Sequence, residues 1–342
     1  MKNSLLGILA FVVRLSSSAA VVSNHLALLV GLGLAGTLGA AHAEFPDRQI
    51  KVIVGFSPGA GPDIVARTVA QKLAEVLKVS VFVDNRRGAG GQIGAQGAAK
   101  SAPDGYTLLL GEVGSIAIAP AAYSKLPYDP AKELVGLSEI VRADFVLVVP
   151  ATSTAQSVSD FVKSAIAKSD RVNIATFGAG TPSHFVADIF GSAAGFKYEP
   201  IHYRGQSDAI TGIVAGDVQG VFMGTALAAV QIASGKMRAL AITAPQRLAQ
   251  FPNVPTFAEA GYPKVDVSAW FAFFVPAGTP EPIQEVLSRA IIQSVQAADV
   301  KPKLQEAGFT VLGTTRADTA RMLRGEAQRW TQVVKASGFK GD

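Results

Sequence analysis

The chain has 342 residues, with 31 basic and 26 acidic side chains, four histidines and no cysteine. Without cysteine it can have no disulfide, no thiolate metal site and no cysteine nucleophile. The basic residues form no run and do not alternate with aromatic residues in a stripe, so the sequence argues against a nucleic-acid partner.

The first 43 residues have the pattern of a secretory signal peptide. Lys2 and Arg14 supply its basic charge, residues 26–38 form its apolar centre, and residues 41–43 (Ala-His-Ala) fit a cleavage site. The basic region is unusually long, so an uncleaved anchor or a misassigned start codon is the alternative. Beyond this segment no apolar run reaches the 18 residues that a membrane span needs. We therefore expect cleavage after residue 43 and release into the periplasm.

Cleavage would leave a mature chain of 299 residues, which is enough for two lobes of ordinary domain size. Its 29 basic and 26 acidic residues nearly balance, because Lys2 and Arg14 are removed. Of the four histidines only His184 and His202 remain. We therefore expect no zinc enzyme, no metal site and no cofactor.

The mature chain begins with a predicted strand, a glycine-rich turn and a helix within residues 50–73. Apolar and β-branched residues lead into three glycines and two prolines, and apolar residues then recur at three- to four-residue spacing. The first N–H groups of such a helix have no partner inside it, and the helix dipole adds partial positive charge. The turn therefore suits an anion, which leaves three uses: a nucleotide site, a hydrolase nucleophile or a pocket for a carboxylate ligand.

Residues 55–59 match the G-x-S-x-G pattern of a hydrolase, with Ser57 as the candidate nucleophile. The oxyanion hole of such a turn needs the N–H of the next residue, and Pro58 has none. The turn also follows the first strand, so no earlier strand supplies a second donor. We therefore interpret Ser57 as a binding residue rather than as a nucleophile.

Residues 59–64 begin the G-x-G-x-x-G pattern of a dinucleotide site, but Ile64 replaces the third glycine. Asp84 stands roughly where a ribose-binding acid belongs. Asp63, however, would place a carboxylate beside the pyrophosphate. A plain turn in which Asp63 caps the helix is a further alternative.

Strand and helix patterns alternate along the rest of the chain. Apolar strands that alternate with helices predict parallel sheets covered on both faces. The last helix is expected from about Arg316 to Ala336, with Trp330 packed on the body. Because ligands of such sheets bind at the carboxyl ends of strands, the candidate loops are those after Phe56, Leu110, Ala175, His202 and Phe222.

Several blocks of the sequence resemble the solute receptors of tripartite tricarboxylate transporters, the Bug-type receptors. The blocks are VIVGFSPGAGPDIVARTVAQKL, DNRRGAGGQIGAQGAAKSAPDGYTLLLG, KLPYDP, GKMRALAIT, FPNVPTFAEAGYP and VPAGTPEPI, in the same order over essentially the whole mature chain. The resemblance implies an α/β protein of the type II periplasmic-binding-protein fold, with two α/β lobes and a ligand cleft between them. It also implies a receptor, not an enzyme, that binds a small organic carboxylate and passes it to a membrane permease.

The boundaries and partners follow from the same resemblance. Lobe 1 is expected to contain residues 44–145 and 268–342, and lobe 2 residues 146–267. The expected partners are a small-molecule carboxylate and the permease subunits of a tripartite tricarboxylate transporter, and the chain is expected to be a monomer. A ligand-sensing receptor for a membrane sensor kinase is one alternative, since both roles use the same closed surface. A serine hydrolase is the other.

The resemblance further implies which residues contact the ligand. The first-turn loop (residues 55–63) is expected to bind a carboxylate through backbone N–H groups near Gly59 to Gly61 and through bridging water. Its implied residues are Phe56, Ser57, Gly59, Ala60, Gly61 and Asp63. Those of the second loop (residues 176–184) are Thr176, Phe177, Gly178, Gly180, Thr181 and Ser183, with His184 behind them. The residues implied to border the pocket are Glu112, Ser115, Tyr203, Arg204 and Met223.

Four of these residues have an alternative role. Arg204 can pair with a distal ligand carboxylate or form an ordinary salt bridge. Phe56 and Phe177 can be core residues at strand ends. For His184 we favour the role of a helix-start residue that packs on its own turn.

Several positions depart from the family pattern. Ala60 stands where a third glycine is usual, and Pro62 where a threonine or serine is usual. Met223 and Gly224 replace an acid and an amide, which predicts a less polar pocket wall and favours a ligand whose far end is partly apolar, such as an aromatic acid. Glu112 stands in a loop that is often rich in serine and threonine. We favour exposure of Glu112 to solvent over contact with an amine or hydroxyl of the ligand.

Overall fold

The computed structural model describes residues 45–167, 171–203 and 206–341. In this part of the chain ten strands form one sheet. They are β1 (Ile50–Val54), β2 (Val81–Asn85), β3 (Thr107–Glu112), β4 (Leu134–Pro150), β5 (Val172–Thr176), β6 (Tyr198–His202), β7 (Gly220–Gly224), β8 (Met237–Ile242), β9 (Ser268–Pro276) and β10 (Thr310–Val311). The predicted signal peptide lies outside the described residues.

The helices connect these strands. They are α1 (Gly61–Leu77), α2 (Gln92–Ala99), α3 (Ala119–Ala122), α4 (Pro130–Glu133), α5 (Val158–Ala167), α6 (Pro182–Ala194), α7 (Gln206–Ala215), α8 (Thr225–Ala233), α9 (Glu281–Gln296), α10 (Lys301–Glu306) and α11 (Arg316–Ser337). A 3-10 turn (Ala89–Gly91) precedes α2, and a π-helix (Gly114–Ile118) precedes α3. Of the helices described, none is long and apolar enough to cross a membrane.

Parallel strands form the first part of the sheet. β1 pairs in parallel with β2 on one side and with β3 on the other, and α1 and α2 lie in the connections. Ile50, Val52, Ile53 and Val54 are all 0% exposed, as expected for a central strand that is covered on both faces. Because β1 and β3 run in the same direction, the loops that follow them lie at the same edge of the sheet.

A second parallel group is formed by β5, β6 and β7. β5 pairs in parallel with β6 and with β7. Thr176, His202 and Gly224 end these three strands, so their following loops share an edge in the same way. The alternation of strands and helices predicted from the sequence is therefore confirmed in both groups.

Two long strands, β4 and β9, join the two parallel groups. β9 lies between β3 and β4 and is antiparallel to both. From Phe145 onwards, β4 pairs instead with β7 and β8. The backbone of β4 therefore passes from one group to the other at Asp144 and Phe145, and Asp144 pairs with Ser268, where β9 begins. The division of the chain into lobes near these positions stays a prediction.

The long strands show where the sequence pattern was insufficient. The apolar pattern of residues 145–149 predicts a short strand, but in the structure these residues lie near the end of β4, which begins at Leu134. In the extra part, the polar residues Ser138 and Glu139 are buried because the sheet continues on both sides. The Glu139 N–H, for example, donates to the hydroxyl of Thr314 at 3.0 Å. Alternation alone does not reveal a strand that buries polar groups with distant partners.

The last helix, α11, agrees with its prediction. It runs from Arg316 to Ser337, and the hydroxyl of Thr315 caps it by accepting the N–H of Asp318. Trp330 is 1% exposed and packs at 5.5 Å between ring centroids against Phe185, so its predicted role in the core is confirmed.

Candidate functional site

The first-turn loop between β1 and α1 is held from within by Asp63. Its Oδ2 accepts the N–H of Gly59 at 2.8 Å, and Arg67 Nε donates to its two oxygens at 3.0 and 2.9 Å. Asn85 Nδ2 donates to Asp63 Oδ1 at 2.8 Å and to the carbonyl of Phe56 at 3.0 Å. Asp63 is 3% exposed. Its carboxylate therefore fixes the loop and does not face solvent.

These donors also determine the charge of Asp63. Burial by itself would raise the pKa of this carboxyl, but the hydrogen bonds from Arg67, Gly59 and Asn85 outweigh burial and lower it. Asp63 is therefore ionised at neutral pH. Its negative charge stands in the first turn of α1, where the helix dipole favours an anion.

The same contacts decide which backbone donors of the loop are available. The N–H of Gly59 donates to Asp63, and the N–H of Ala60 donates to the carbonyl of Ser57 at 3.1 Å. Two of the three N–H groups that were expected to bind a ligand carboxylate are thus bound within the protein. In the described part of the chain, the N–H groups of Gly61 and Asp63 have no acceptor. They are the first donors of a 17-residue helix.

The loops after β1, β2 and β3 meet beside Phe56. A Cβ atom on Gly91 would lie 3.3 Å from Phe56 Cε2 and 3.4 Å from Glu112 Oε1, and the φ of Gly91 is +88°. A Cβ on Gly94 would lie 2.8 Å from the Cα of Gly55. Glycine is therefore required where the start of α2 approaches the end of β1. The structure brings Phe56 and Glu112, two predicted site residues, into one place.

Glu112 is 7% exposed, so the expectation that it faces solvent is wrong. Its Oε2 accepts the N–H of Gly114 and its Oε1 accepts the N–H of Ser115, both at 2.7 Å. The side chain turns back because the π-helix that follows needs acceptors for its first N–H groups. Burial raises the pKa of Glu112, and the two backbone hydrogen bonds act in the opposite direction without cancelling it.

Ser115 serves the same turn. It is 2% exposed, its N–H donates to Glu112, and its carbonyl accepts the hydroxyl of Tyr128 at 2.6 Å. The structure therefore places Ser115 in the framework behind the loop rather than on its surface.

The second loop, between β5 and α6, is closed by its own hydroxyl groups. The N–H of Phe177 donates to Ser183 Oγ at 3.0 Å, and Thr181 Oγ1 donates to the carbonyl of Gly178 at 2.7 Å. The hydroxyls of Thr181 and Ser183 are 2.9 Å apart. Four of the predicted residues of this loop are thus joined by direct hydrogen bonds.

His184 lies behind the second loop. Its Nδ1 accepts the N–H of Gly180 at 3.2 Å, and its ring centroid is 4.8 Å from that of His202 and 5.5 Å from that of Phe339. Its Nε2 is 3.8 Å from Asp188 Oδ2. Burial lowers the pKa of His184, Asp188 opposes this effect, and His202 adds to it. The geometry matches a helix-start residue that packs on its own turn.

Two predicted residues of this half are buried in the body. Thr176 is 0% exposed, and its hydroxyl lies 2.6 Å from His202 Nδ1. Met223 is 0% exposed and packs in an apolar cluster that includes Val146 and Ile242. The structure therefore places Met223 in the core rather than on an accessible pocket wall, because the strand turns this side chain towards its covered face.

Ser57, Tyr203 and Arg204 are three further predicted residues. Ser57 is exposed on the first-turn loop. Tyr203 is partly buried, and its N–H donates to the carbonyl of Thr176 at 3.0 Å. Arg204 lies outside the described residues.

Helices α1 and α6 begin in the same way. Each follows a glycine-rich turn, has a proline in its first two residues, and receives no side-chain cap from its N-cap residue, Ala60 or Thr181. In the described residues the N–H of Ser183, in the first turn of α6, has no acceptor either. Both turns therefore offer backbone donors and helix-dipole charge to an anion.

Sequence reasoning missed Arg67 and Asn85, which support Asp63. Arg67 is four residues after Asp63, a spacing that places both on one helix face and was visible in the sequence. Asn85 was not visible in this way, because it reaches the loop only through the pairing of β1 with β2, in which it is the partner of Val54.

Comparison with known proteins decides the family. The family model of the tripartite tricarboxylate transporter family receptor matches residues 65–339. The chain belongs to this family. The resemblance found in the sequence blocks is therefore confirmed.

Solved structures similar to this receptor support the same conclusion. MatC from Rhodopseudomonas palustris, solved with bound malate, is 30% identical with a TM-score of 0.73, over 85% of this chain and 100% of that one. Rpa4515 from R. palustris, solved with adipate, is 28% identical with a TM-score of 0.77, over 87% and 99%. The periplasmic binding protein BugD is 26% identical with a TM-score of 0.74, over 86% and 99%. The receptor thus has the α/β fold of periplasmic binding proteins, and its family and fold are those of substrate-binding proteins.

Proposed function

We propose that this receptor binds a small organic carboxylate in the periplasm and delivers it to the membrane permease of a tripartite tricarboxylate transporter. The observation that carries the proposal is the shared start of α1 and α6, where the N–H groups of Gly61, Asp63 and Ser183 have no acceptor in the part of the chain that the structure describes. Backbone donors suit a carboxylate because they are fixed in place and need no side-chain ordering. The malate and adipate held by two similar structures are of the same chemical class.

The ligand that we propose is an open-chain dicarboxylate. The sequence favoured an aromatic acid because Met223 was expected to line the pocket. With Met223 fully buried in the core, that argument no longer applies. One carboxylate binds the N–H groups of Gly61 and Asp63, and the second loop binds the ligand from the other lobe, with Arg204 as the candidate partner of the second carboxylate.

The proposal includes no catalytic step. Ser57 is followed by Pro58, so the N–H of an oxyanion hole is missing. His184 and His202 contact each other and residues of the second loop, and no contact joins either of them to Ser57 in the described residues. A serine-directed phosphonate should therefore fail to label Ser57.

A change at Gly61 tests the carboxylate site. Gly61→Pro removes one N–H at the first residue of a helix, and Ala60 before it has the extended φ and ψ of −72° and 160° that a following proline requires. Gly61→Ala is the matched control, since it keeps the N–H and its Cβ would meet Phe309 Cζ at an ordinary 3.6 Å. Gly59→Pro is unsuitable, since the φ of Gly59 is +80°.

Calorimetry with malate, adipate, their amides and simple amines is the measurement. Gly61→Pro should weaken every carboxylate by about tenfold, the worth of one charge-assisted hydrogen bond, while Gly61→Ala changes affinity less than threefold. Binding confined to neutral or cationic solutes would contradict the carboxylate proposal. Equal affinity of the proline variant and the parent would contradict the proposed donors.

We also propose that the protein has two lobes that close on the ligand. Their boundaries lie near residues 145 and 268, where the backbone passes from one proposed lobe to the other. Thr225 Oγ1 donates to the carbonyl of Gly308 at 2.6 Å, so the proposed lobes already touch in this structure. Small-angle scattering of the monomer should show a smaller radius with saturating adipate than without it. An unchanged radius under bound ligand would argue against a hinge.

We also propose that the protein is exported to the periplasm, because the chain belongs to a family of periplasmic receptors. Mass spectrometry of the secreted protein should give Glu44 as the first residue, and a full-length chain retained in the membrane would contradict cleavage. Adjacent genes for large and small permease subunits would support transport, whereas an adjacent sensor kinase would support sensing.

A further inference from the structure

A cavity of about 600 Å³ lies where β4 passes between the two parallel groups of strands. It is lined by the crossing part of β4, the start of β9, the segment after β8 and one face of α11. None of its lining residues belongs to the first-turn loop or to the second loop. The cavity is therefore separate from the proposed carboxylate site.

Asp144 lines this cavity and is 6% exposed. In the described residues its carboxylate accepts no hydrogen bond and forms no ion pair within 4 Å. A carboxylate buried to this extent is normally paired or hydrogen-bonded, because removing it from water is costly. Asp144 is thus a largely buried acid that has no partner among the described residues, and its oxygens are not sealed from the cavity.

The nearby charges do not balance Asp144. Arg142 forms a two-point ion pair with Glu139 through Nε and Nη2. The same guanidinium attracts Glu326 and Asp144 only at longer range, and these three acids together raise the pKa of Arg142, with the Glu139 hydrogen bonds as the main cause. One positive charge thus faces three carboxylates, which leaves an excess of negative charge.

The other two arginines of the lining are already paired. Arg329 forms an ion pair with Asp266, and Arg247 binds both oxygens of Glu259 at 3.1 and 2.9 Å. Neither therefore supplies free positive charge to Asp144.

The remaining acid of the cavity is held by two tryptophans. Glu326 Oε2 accepts the indole N–H of Trp270 at 2.8 Å and that of Trp330 at 2.9 Å. Its other oxygen accepts no hydrogen bond in the described residues. The cavity thus combines two incompletely satisfied carboxylates, on Asp144 and Glu326, with two indole rings.

We propose that this cavity is a second binding site, which takes an organic ammonium cation between Asp144 and Glu326. The ammonium donates hydrogen bonds to the two carboxylates, and the indole N–H groups of Trp270 and Trp330 hold the carboxylate of Glu326 in place for it. A metal ion is a poorer occupant, because no group of three or more His, Asp or Glu side chains in the described residues is arranged to hold one. The site does not rest on the proposed carboxylate function.

The test uses calorimetry of the mature protein with 1,4-diaminobutane, n-butylammonium and the neutral 1,4-butanediol. Both ammonium compounds should bind and the diol should not. Asp144→Asn, which keeps the shape of the side chain, should weaken 1,4-diaminobutane at least tenfold, and Glu326→Gln should do the same. Asp208→Asn removes one negative charge from an exposed position and should leave the affinity unchanged.

Acid should also release the probe. Burial raises the pKa of Asp144 to about 6, which Arg142 opposes, so protonation below this pH removes one of the two acceptors. Six other charged or titratable residues also face the cavity: Glu139, Arg142, Arg247, Asp266, Glu326 and Arg329. Asp144→Asn should therefore abolish only the part of the pH dependence that is due to residue 144.

Three outcomes would overturn the proposal: no binding of either ammonium compound, equal binding of the diol, or full affinity in both Asp144→Asn and Glu326→Gln. Malate and adipate titrated into the same variants separate this site from the other. Their affinities should stay within twofold of the parent, whereas failure of the carboxylate proposal would leave the ammonium results untouched.

Discussion

The carboxylate of Asp63 binds the backbone N–H of Gly59, four residues earlier, at 2.8 Å. This single contact closes the first-turn loop upon itself. It also removes Gly59 from the donors available to a ligand and leaves the N–H groups of Gly61 and Asp63 at the start of α1.

Asp63→Asn should therefore loosen the loop. The amide can satisfy only part of the set formed by Gly59, Arg67 and Asn85, and we expect a loss of roughly 1–3 kcal/mol in the free energy of unfolding at pH 7. The pKa of Asp63 is lower in the folded protein than in the unfolded chain. Its contribution to the free energy of unfolding is therefore present above about pH 4 and disappears as the pH falls through the folded pKa. Urea unfolding from pH 3 to 7 measures this, and a variant that parallels the parent at every pH would contradict it.

Protonation of His184 should destabilise the second loop. The pKa of His184 is lower in the folded protein than in the unfolded chain, so the unfolded chain takes up the proton first. The free energy of unfolding therefore falls as the pH drops from about 6.5 through the folded pKa. His184→Asn supplies an acceptor for the N–H of Gly180 without titrating in this range, and the fall due to residue 184 should vanish. His202 also has a lowered pKa, chiefly through burial, so His202→Asn is the matched variant, which keeps the part of the His184 contribution that is due to burial. Thermal unfolding at several pH values distinguishes them.

Gly180→Ala should be costly for two separable reasons. The φ of Gly180 is +72°, and a Cβ there would lie 2.9 Å from the ring of Phe339. Gly195, at the other end of α6, has a φ of +74°, and a Cβ there would contact no other part of the described protein within 4 Å, so Gly195→Ala measures the backbone cost alone, about 1–2 kcal/mol.

The loss in the free energy of unfolding caused by Gly180→Ala should exceed that of Gly195→Ala by at least 1 kcal/mol, because the overlap with Phe339 adds to the backbone cost. The double variant Gly180→Ala/Phe339→Leu, compared with Phe339→Leu alone, should return to the level of Gly195→Ala. Equal losses in the two single glycine variants would show that Phe339 does not constrain the loop.

Asp144→Asn should stabilise the protein above pH 6. The pKa of Asp144 is raised to about 6, so its ionised form costs the native state roughly 3 kcal/mol at neutral pH relative to pH 3, where it is protonated in both states. The variant should match the parent near pH 3, gain stability relative to it as the pH rises from about 4 to 6, and keep the full difference above pH 6. Denaturation curves at pH 3, 5 and 8 measure the difference, and a less stable variant at pH 8 would indicate a partner for Asp144 within the protein.

Thr225→Val should shift the receptor towards an open form. The change keeps the shape of the side chain and removes the 2.6 Å hydrogen bond to the carbonyl of Gly308, worth about 1 kcal/mol. We expect a larger radius without ligand in small-angle scattering and a several-fold weaker affinity for adipate. Thr331→Val is the control, because its hydroxyl bonds only within α11, to the carbonyl of Ala327.

Much of this protein was determined by the sequence itself. The apolar strand, the glycine-rich turn and the helix around Gly59 to Gly61 are local features, because a few neighbouring residues decide them. The bounds of α11 followed from a local pattern of the same kind. The family followed from blocks in fixed order, since a shared order of turns and strands specifies a shared fold.

Tertiary structure decided the contacts that join distant segments. Asn85 reaches Asp63 only through the pairing of β1 with β2, and Glu112 is buried where Gly91, from the loop after β2, packs beside it. Met223 lies in the core because β7 is covered on the face to which it points. The charge of Asp144 remains unbalanced because Arg142, two residues away, is bound to Glu139. Burial and pairing depend on neighbours that are remote in sequence, so no local pattern contains them.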